Sequence, residues 1–156
     1  MNKEQKRLWR FGIRLLKRIH RDQSETWNLG DWAAGEDSCV YNPNYCGTTA
    51  CAMGHFALNE RFQRAGLKLI CNRPDRSVVT SFDQIKNVKG NVSFHVDYCG
   101  EHGEDAAAEL FGISYEEAFI CFIPNSDYGK KSEQITALDV AEMMETVLEK
   151  HLNDPD

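Results

Sequence analysis

The sequence predicts a mainly α fold of the α+β class, with about five helices and one short β-hairpin. Apolar residues recur at helical spacing in the first and last segments, capping residues stand where the helices start, and β-branched runs are confined to the stretch from Val78 to Val96. With 156 residues, 42% hydrophobic and 27% charged, the chain has enough apolar side chains for one core. It therefore reads as a single domain over 1–156, a basic amphipathic helix at 1–22 joined to an acidic globular body at 23–156.

The first helix is expected over residues 2–22, because Leu8, Phe11, Leu15 and Ile19 recur at spacings of three and four, and Trp9, Ile13 and Leu16 widen the stripe. Residues 24–45 read as an aromatic loop, carrying Trp27, Trp32, Tyr41 and Tyr45 among Gly30, Gly35 and Pro43. Thr48 or Thr49 would cap a second helix running to about Ala65, with Ala50, Met53, Leu58 and Phe62 on its apolar face and Gly66 as a left-handed stop. Val78-Val79-Thr80 and Val92–Val96 then form the expected hairpin, with a turn at Lys89-Gly90-Asn91 before its second strand. A helix from about Glu104 ends at Gly112, and Ser114 opens the next through a Ser114-x-x-Glu117 capping box that Pro124 stops. Thr136 caps a last helix lined by Leu138, Ala141, Met144, Val147, Leu148 and Leu152.

Charge is unevenly distributed. Residues 1–21 hold eight of the 18 Lys and Arg against the single acid Glu4, so a +7 segment is attached to a −13 remainder in a chain of net charge −6. Two readings follow. The helix docks its apolar side on the domain while its cations complement the acidic body, or residues 3–21 bind nucleic acid, an anionic membrane surface or an acidic protein. The docking reading is preferred, because most charged helix faces are solvated surface. No apolar run approaches the roughly 20 residues of a membrane span, the longest being Ala118–Ile123. The start lacks the uninterrupted apolar core of a signal peptide, so the six cysteines are expected as free or metal-bound thiols in a reducing cytoplasm.

Reactive side chains crowd the window Cys46–His55, and three readings compete for it. As a metal site, Cys51 and His55 would present two ligands from one helical face, with Cys46 and either Cys39 or a residue of the Cys99/His102 loop completing tetrahedral zinc. As a cysteine-dependent hydrolase, Cys46 would be a thiolate at a helix start, His95 its base and Asp97 the orienter. As plain structure, Cys51 is a small buried hydrophobe, His55 bonds a carbonyl, and Cys71 and Cys121 belong to the core. Phosphate-cradling glycine motifs are missing from the sequence, although Trp27, Trp32, Tyr41 or Tyr45 would serve to stack a nucleotide base.

Thr26–Trp32, Cys46–His55 and Ala106–Ile113 together resemble a family of small uncharacterised proteins of bacteriophage and bacterial genomes. Those proteins share a Trp-bearing segment, a Cys-Gly-Thr-x-x-Cys-x-x-Gly box and a later Ala-Ala-x-x-Leu-Phe-Gly helix. The resemblance covers most of 25–67 and 105–150, and leaves the basic helix and the hairpin as variable additions. It implies a cytoplasmic phage-associated protein with no activity to carry over, and the function expected here is that of a non-enzymatic accessory protein without a cofactor that binds a host or host-defence component, either a protein or a nucleotide signal. The hydrolase and the zinc-stabilised module are its alternatives.

Overall fold

The computed structural model describes residues 1–22, 48–81, 84–85, 94–123, 126–131 and 134–153, with the side chains of 48–51 and of 126 left aside. Among these residues the fold is mainly α with a small antiparallel sheet, as the sequence predicts. Helix α1 runs Lys3–Arg21. A capping box starts it: the Asn2 side chain accepts from the Gln5 N–H at 2.9 Å, and the Gln5 side chain accepts from the Asn2 N–H at 2.8 Å. Its stripe of Leu8, Trp9, Ile13, Leu16 and Ile19 is buried against the last helix, α6 (Ala137–Asn153), and the body of the domain.

Trp9 is the centre of that contact. It is fully buried, its indole N–H donates to the Met144 carbonyl of α6 at 2.8 Å, and its ring meets the edge of Phe111 at 4.8 Å. Gly12 allows the close approach, because a Cβ there would stand 3.0 Å from Phe56 and 3.3 Å from Met144.

The expected helix from Thr48 to Ala65 is two helices, α2 (Thr48–Ala57) and α3 (Glu60–Arg64). Asn59 divides them, because its side chain accepts from the Arg61 N–H and so caps a fresh helix. Phe56 of α2 stacks on Phe62 of α3 at 4.6 Å, and both belong to the aromatic core with Phe111 and Phe122. Gly66 follows at φ +102, in the left-handed region predicted for it.

The expected hairpin is corrected. Val78–Val79 (β2) and Phe94–Tyr98 (β3) do not pair with each other, because Lys68–Cys71 forms a further strand, β1, between them. With β4 (Glu101–His102) the order is β2-β1-β3-β4, all neighbours antiparallel. Leu69 pairs with Val96, Ile70 with His95 and Lys68 with Asp97. The β3–β4 turn has Cys99 at φ +54 and Gly100 at φ +90, two successive positive values of the kind a two-residue type I′ turn requires.

Helix α4 (Gly103–Phe111) packs on β3 and ends at Gly112 at φ +61. Ser114 opens α5 (Tyr115–Phe122) through the predicted capping box with Glu117. After a 3₁₀ turn at Ser126–Tyr128, Thr136 caps α6 by accepting from the Asp139 N–H at 3.3 Å while Asp139 accepts from the Thr136 N–H at 2.7 Å. Two of the residues expected to line α6 stand apart from its buried face. Leu138 is half-buried, and Leu152 is 51% exposed because the helix outruns the core. No helix among the described residues is long and apolar enough to cross a membrane.

Candidate functional site

The outward side of α1 is a row of cations. Lys3, Arg7, Arg10, Arg14, Arg18 and Arg21 are all exposed and repeat at spacings of three and four. At roughly 100° per residue they fall within an arc of about 80°, opposite the buried stripe. At about 1.5 Å per residue the row is about 27 Å long. Arg7 pairs with Glu4 at 3.6 Å and Arg21 with Asp22 at 3.0 Å, both contacts local to the helix and exposed. Among the described residues the one bridge from α1 to the acidic body joins Lys17 to Glu145, at 2.6 Å. Lys3, Arg10, Arg14 and Arg18 form no ion pair there. The docking expectation therefore divides: the apolar side is docked, but among the described residues no acid of the body pairs with Lys3, Arg10, Arg14 or Arg18.

A cleft of about 460 Å³ lies between the start of α1, α3 and Tyr98 of β3, and none of the row's cations lines it. Its cations are engaged locally: Arg64 pairs with Glu60, and the Arg61 guanidinium lies 4.7 Å from the centre of the Phe11 ring.

The second place with chemical interest is the polar face at the end of the sheet. His95 and Asp97 alternate with buried Val96 and so project to the same side, as their spacing requires. They do not form the expected base and orienter. The His95 Nδ1 faces Asn72 Oδ1 at 2.6 Å, whereas Asp97 lies 3.5 Å from the Nδ1 of His102, its cross-strand partner. The two imidazoles meet edge to face at 4.8 Å.

Because an amide oxygen only accepts, Nδ1 of His95 carries the proton and Nε2 is the lone-pair nitrogen. That Nε2 is buried without a hydrogen-bond partner, so among the described residues no thiol stands within reach of it. Burial first, then His102 and Arg76, lower the basicity of His95. Among the described residues His95 is thus held by Asn72 and not by Asp97, and Cys46, its expected nucleophile, lies outside them. Asn72 and Arg76 act here although their local sequence carried no signal, since both are brought in by the β1–β2 turn.

Glu117 is a buried carboxylate that accepts from the Ser114 N–H, from Lys150 Nζ and from His151 Nε2, each at 3.0 Å. Burial alone would raise its pKa, but these three donors bring it down to about 2. The group joins α5 to α6. Cys121, one turn on, is buried, and burial with Glu117 nearby pushes its thiol far up, which makes it inert.

Of the other predicted site residues, Cys46, Cys39, Trp27, Trp32, Tyr41 and Tyr45 lie outside the described residues, as does the side chain of Cys51. His55 is buried in the last turn of α2. Cys71 and Cys121 are core thiols as expected, and Cys99 is exposed in the β3–β4 turn. Among the described residues no group of three or more His, Cys, Asp or Glu is placed to hold a metal. No protein-family model, curated protein or solved structure matches the chain.

Proposed function

We propose that this protein is a non-enzymatic binding protein, and that the outer face of α1 is its recognition surface for a polyanionic partner. The observation that carries the reading is the row of Lys3, Arg10, Arg14 and Arg18, exposed on a helix whose other face is locked into the core and without acidic partners among the described residues. An amphipathic helix that inserts into a membrane needs its apolar face free. Here Trp9, Leu16 and their neighbours are consumed by the core, which leaves electrostatic recognition as the use of the cations. The resemblance to phage and bacterial proteins supports a host component as the partner.

The test is retention on immobilised heparin, used as a polyanion probe. Wild-type protein is retained at low salt and released by a salt gradient. The variant R10Q/R14Q/R18Q, which keeps good helix formers at each position, elutes at lower salt with an unchanged urea midpoint. Wild-type protein that passes straight through at low salt overturns the reading.

A further inference from the structure

We infer that the polyanion is the phosphate backbone of a double-stranded nucleic acid, bound without base specificity; this rests on the reading of the outer face of α1 as the binding surface. Protein–protein interfaces centre on desolvated apolar or aromatic anchors, and charged residues are depleted from their core. The outward arc of α1 contains none. Its exposed positions 3, 7, 10, 14, 18 and 21 are all Lys or Arg, and five of the six are Arg, whose planar fork matches phosphate oxygens two at a time. An acidic protein would meet charge with no apolar centre to hold it. A nucleic-acid backbone requires only the charge.

Single strands are held by aromatic platforms on which bases stack. Among the described residues Phe11, the half-buried aromatic beside the row on α1, has the Arg61 guanidinium 4.7 Å from its ring centre and packs on Phe62 at 5.7 Å. A duplex needs no such platform. Its axis advances about 3.4 Å per base pair, so the row of about 27 Å spans about eight base pairs. With half of α1 embedded in the core, only the cationic arc faces a duplex, and a row of cations along a helix axis suits contact along the phosphates. Contacts of that kind position and attract but do not read sequence. The −13 charge of the remaining chain repels the duplex elsewhere and leaves α1 as the side of approach.

Fluorescence anisotropy on the full chain tests this, with two labelled 16-base-pair DNA duplexes of unrelated sequence, one of their single strands, and poly-glutamate as competitor. Both duplexes bind with the same affinity, more tightly than the single strand, and poly-glutamate competes poorly. Four cations that neutralise phosphates and release their counterions give a slope of log affinity against log salt of about −3.6, or about a 150-fold loss between 50 and 200 mM salt. In R10Q/R14Q/R18Q one of the four remains, so the slope falls to about −0.9 and the same salt change costs about fourfold.

A single strand bound as tightly as the duplex overturns the inference, and so does a preference between the two duplex sequences. Poly-glutamate that competes as well as DNA overturns it while leaving the face a polyanion site. Absence of binding to heparin as well as to DNA removes both readings together.

Discussion

Replacing Glu117 by glutamine removes one charge at nearly constant shape, in a place where three donors converge on the carboxylate. A glutamine side chain has one oxygen to offer and turns an amide N–H₂ toward groups that are themselves donors. The drop in the carboxyl pKa from 4.5 to about 2 sets the scale. At about 1.4 kcal/mol per pH unit it corresponds to about 3 kcal/mol of stabilisation. The Lys150 side chain is 69% exposed, so solvent screens its share, and about 2 kcal/mol is the working expectation for E117Q at pH 7. The sign follows from the depressed value. Unfolded glutamate takes up its proton near pH 4.5 and the folded group near 2, so the stabilisation is complete above pH 4.5 and disappears as pH falls to 2. Urea titrations of both proteins at pH 7, 5, 3 and 2 measure this. The gap between wild type and E117Q should hold from pH 7 to 5 and then close by at least about 1 kcal/mol by pH 2. A gap that does not change with pH would refute the assignment of the stabilisation to an ionised Glu117.

Two further perturbations probe the fold around the proposed surface. Trp9→Phe removes the indole donor to the Met144 carbonyl and part of a fully buried ring, and should cost about 1–3 kcal/mol in urea denaturation; a loss below about 0.5 kcal/mol would show that α1 is not anchored there. Cys99→Asn places a residue that tolerates positive φ in the β3–β4 turn and should add about 0.5–1 kcal/mol, while the native Cys99 should be alkylated before Cys71 and Cys121 in peptide-mapped iodoacetamide labelling; equal labelling of all three would contradict the described burial.

The helices that were legible carry their signals within a few residues. Asn2 with Gln5 and Ser114 with Glu117 are local capping boxes, and Gly112 is a local stop; each stands where periodicity placed a helix end. Strand β1 escaped notice because Lys68–Cys71 is a run of four residues whose register is set by Phe94–Asp97, more than twenty positions away. Insertion of β1 between β2 and β3 is a choice of partners, and residue type does not encode it. The break at Asn59 was readable in principle, since a cap residue stood inside the expected helix, but the apolar spacing of Met53, Leu58 and Phe62 spans it. At the sheet, residue spacing correctly put His95 and Asp97 on one face. It was silent on Asn72, which takes the hydrogen bond at His95, and on the pairing of Asp97 with His102.

By itself the sequence determined the mainly α class, the caps at Ser114 and Thr136, the burial of Cys71 and Cys121, and the division of α1 into an apolar and a cationic side, because each depends on composition or on neighbours within a turn or two. Only the tertiary structure decided which acids those cations meet. Lys17 reaches Glu145 across 128 positions of chain, while the same rotation that buries Trp9 and Leu16 leaves Lys3, Arg10, Arg14 and Arg18 exposed and without an acidic partner among the described residues. Ion pairing acts over a few ångströms between residues that folding brings together, so a surplus of opposite charge elsewhere in the chain does not establish that it is neutralised.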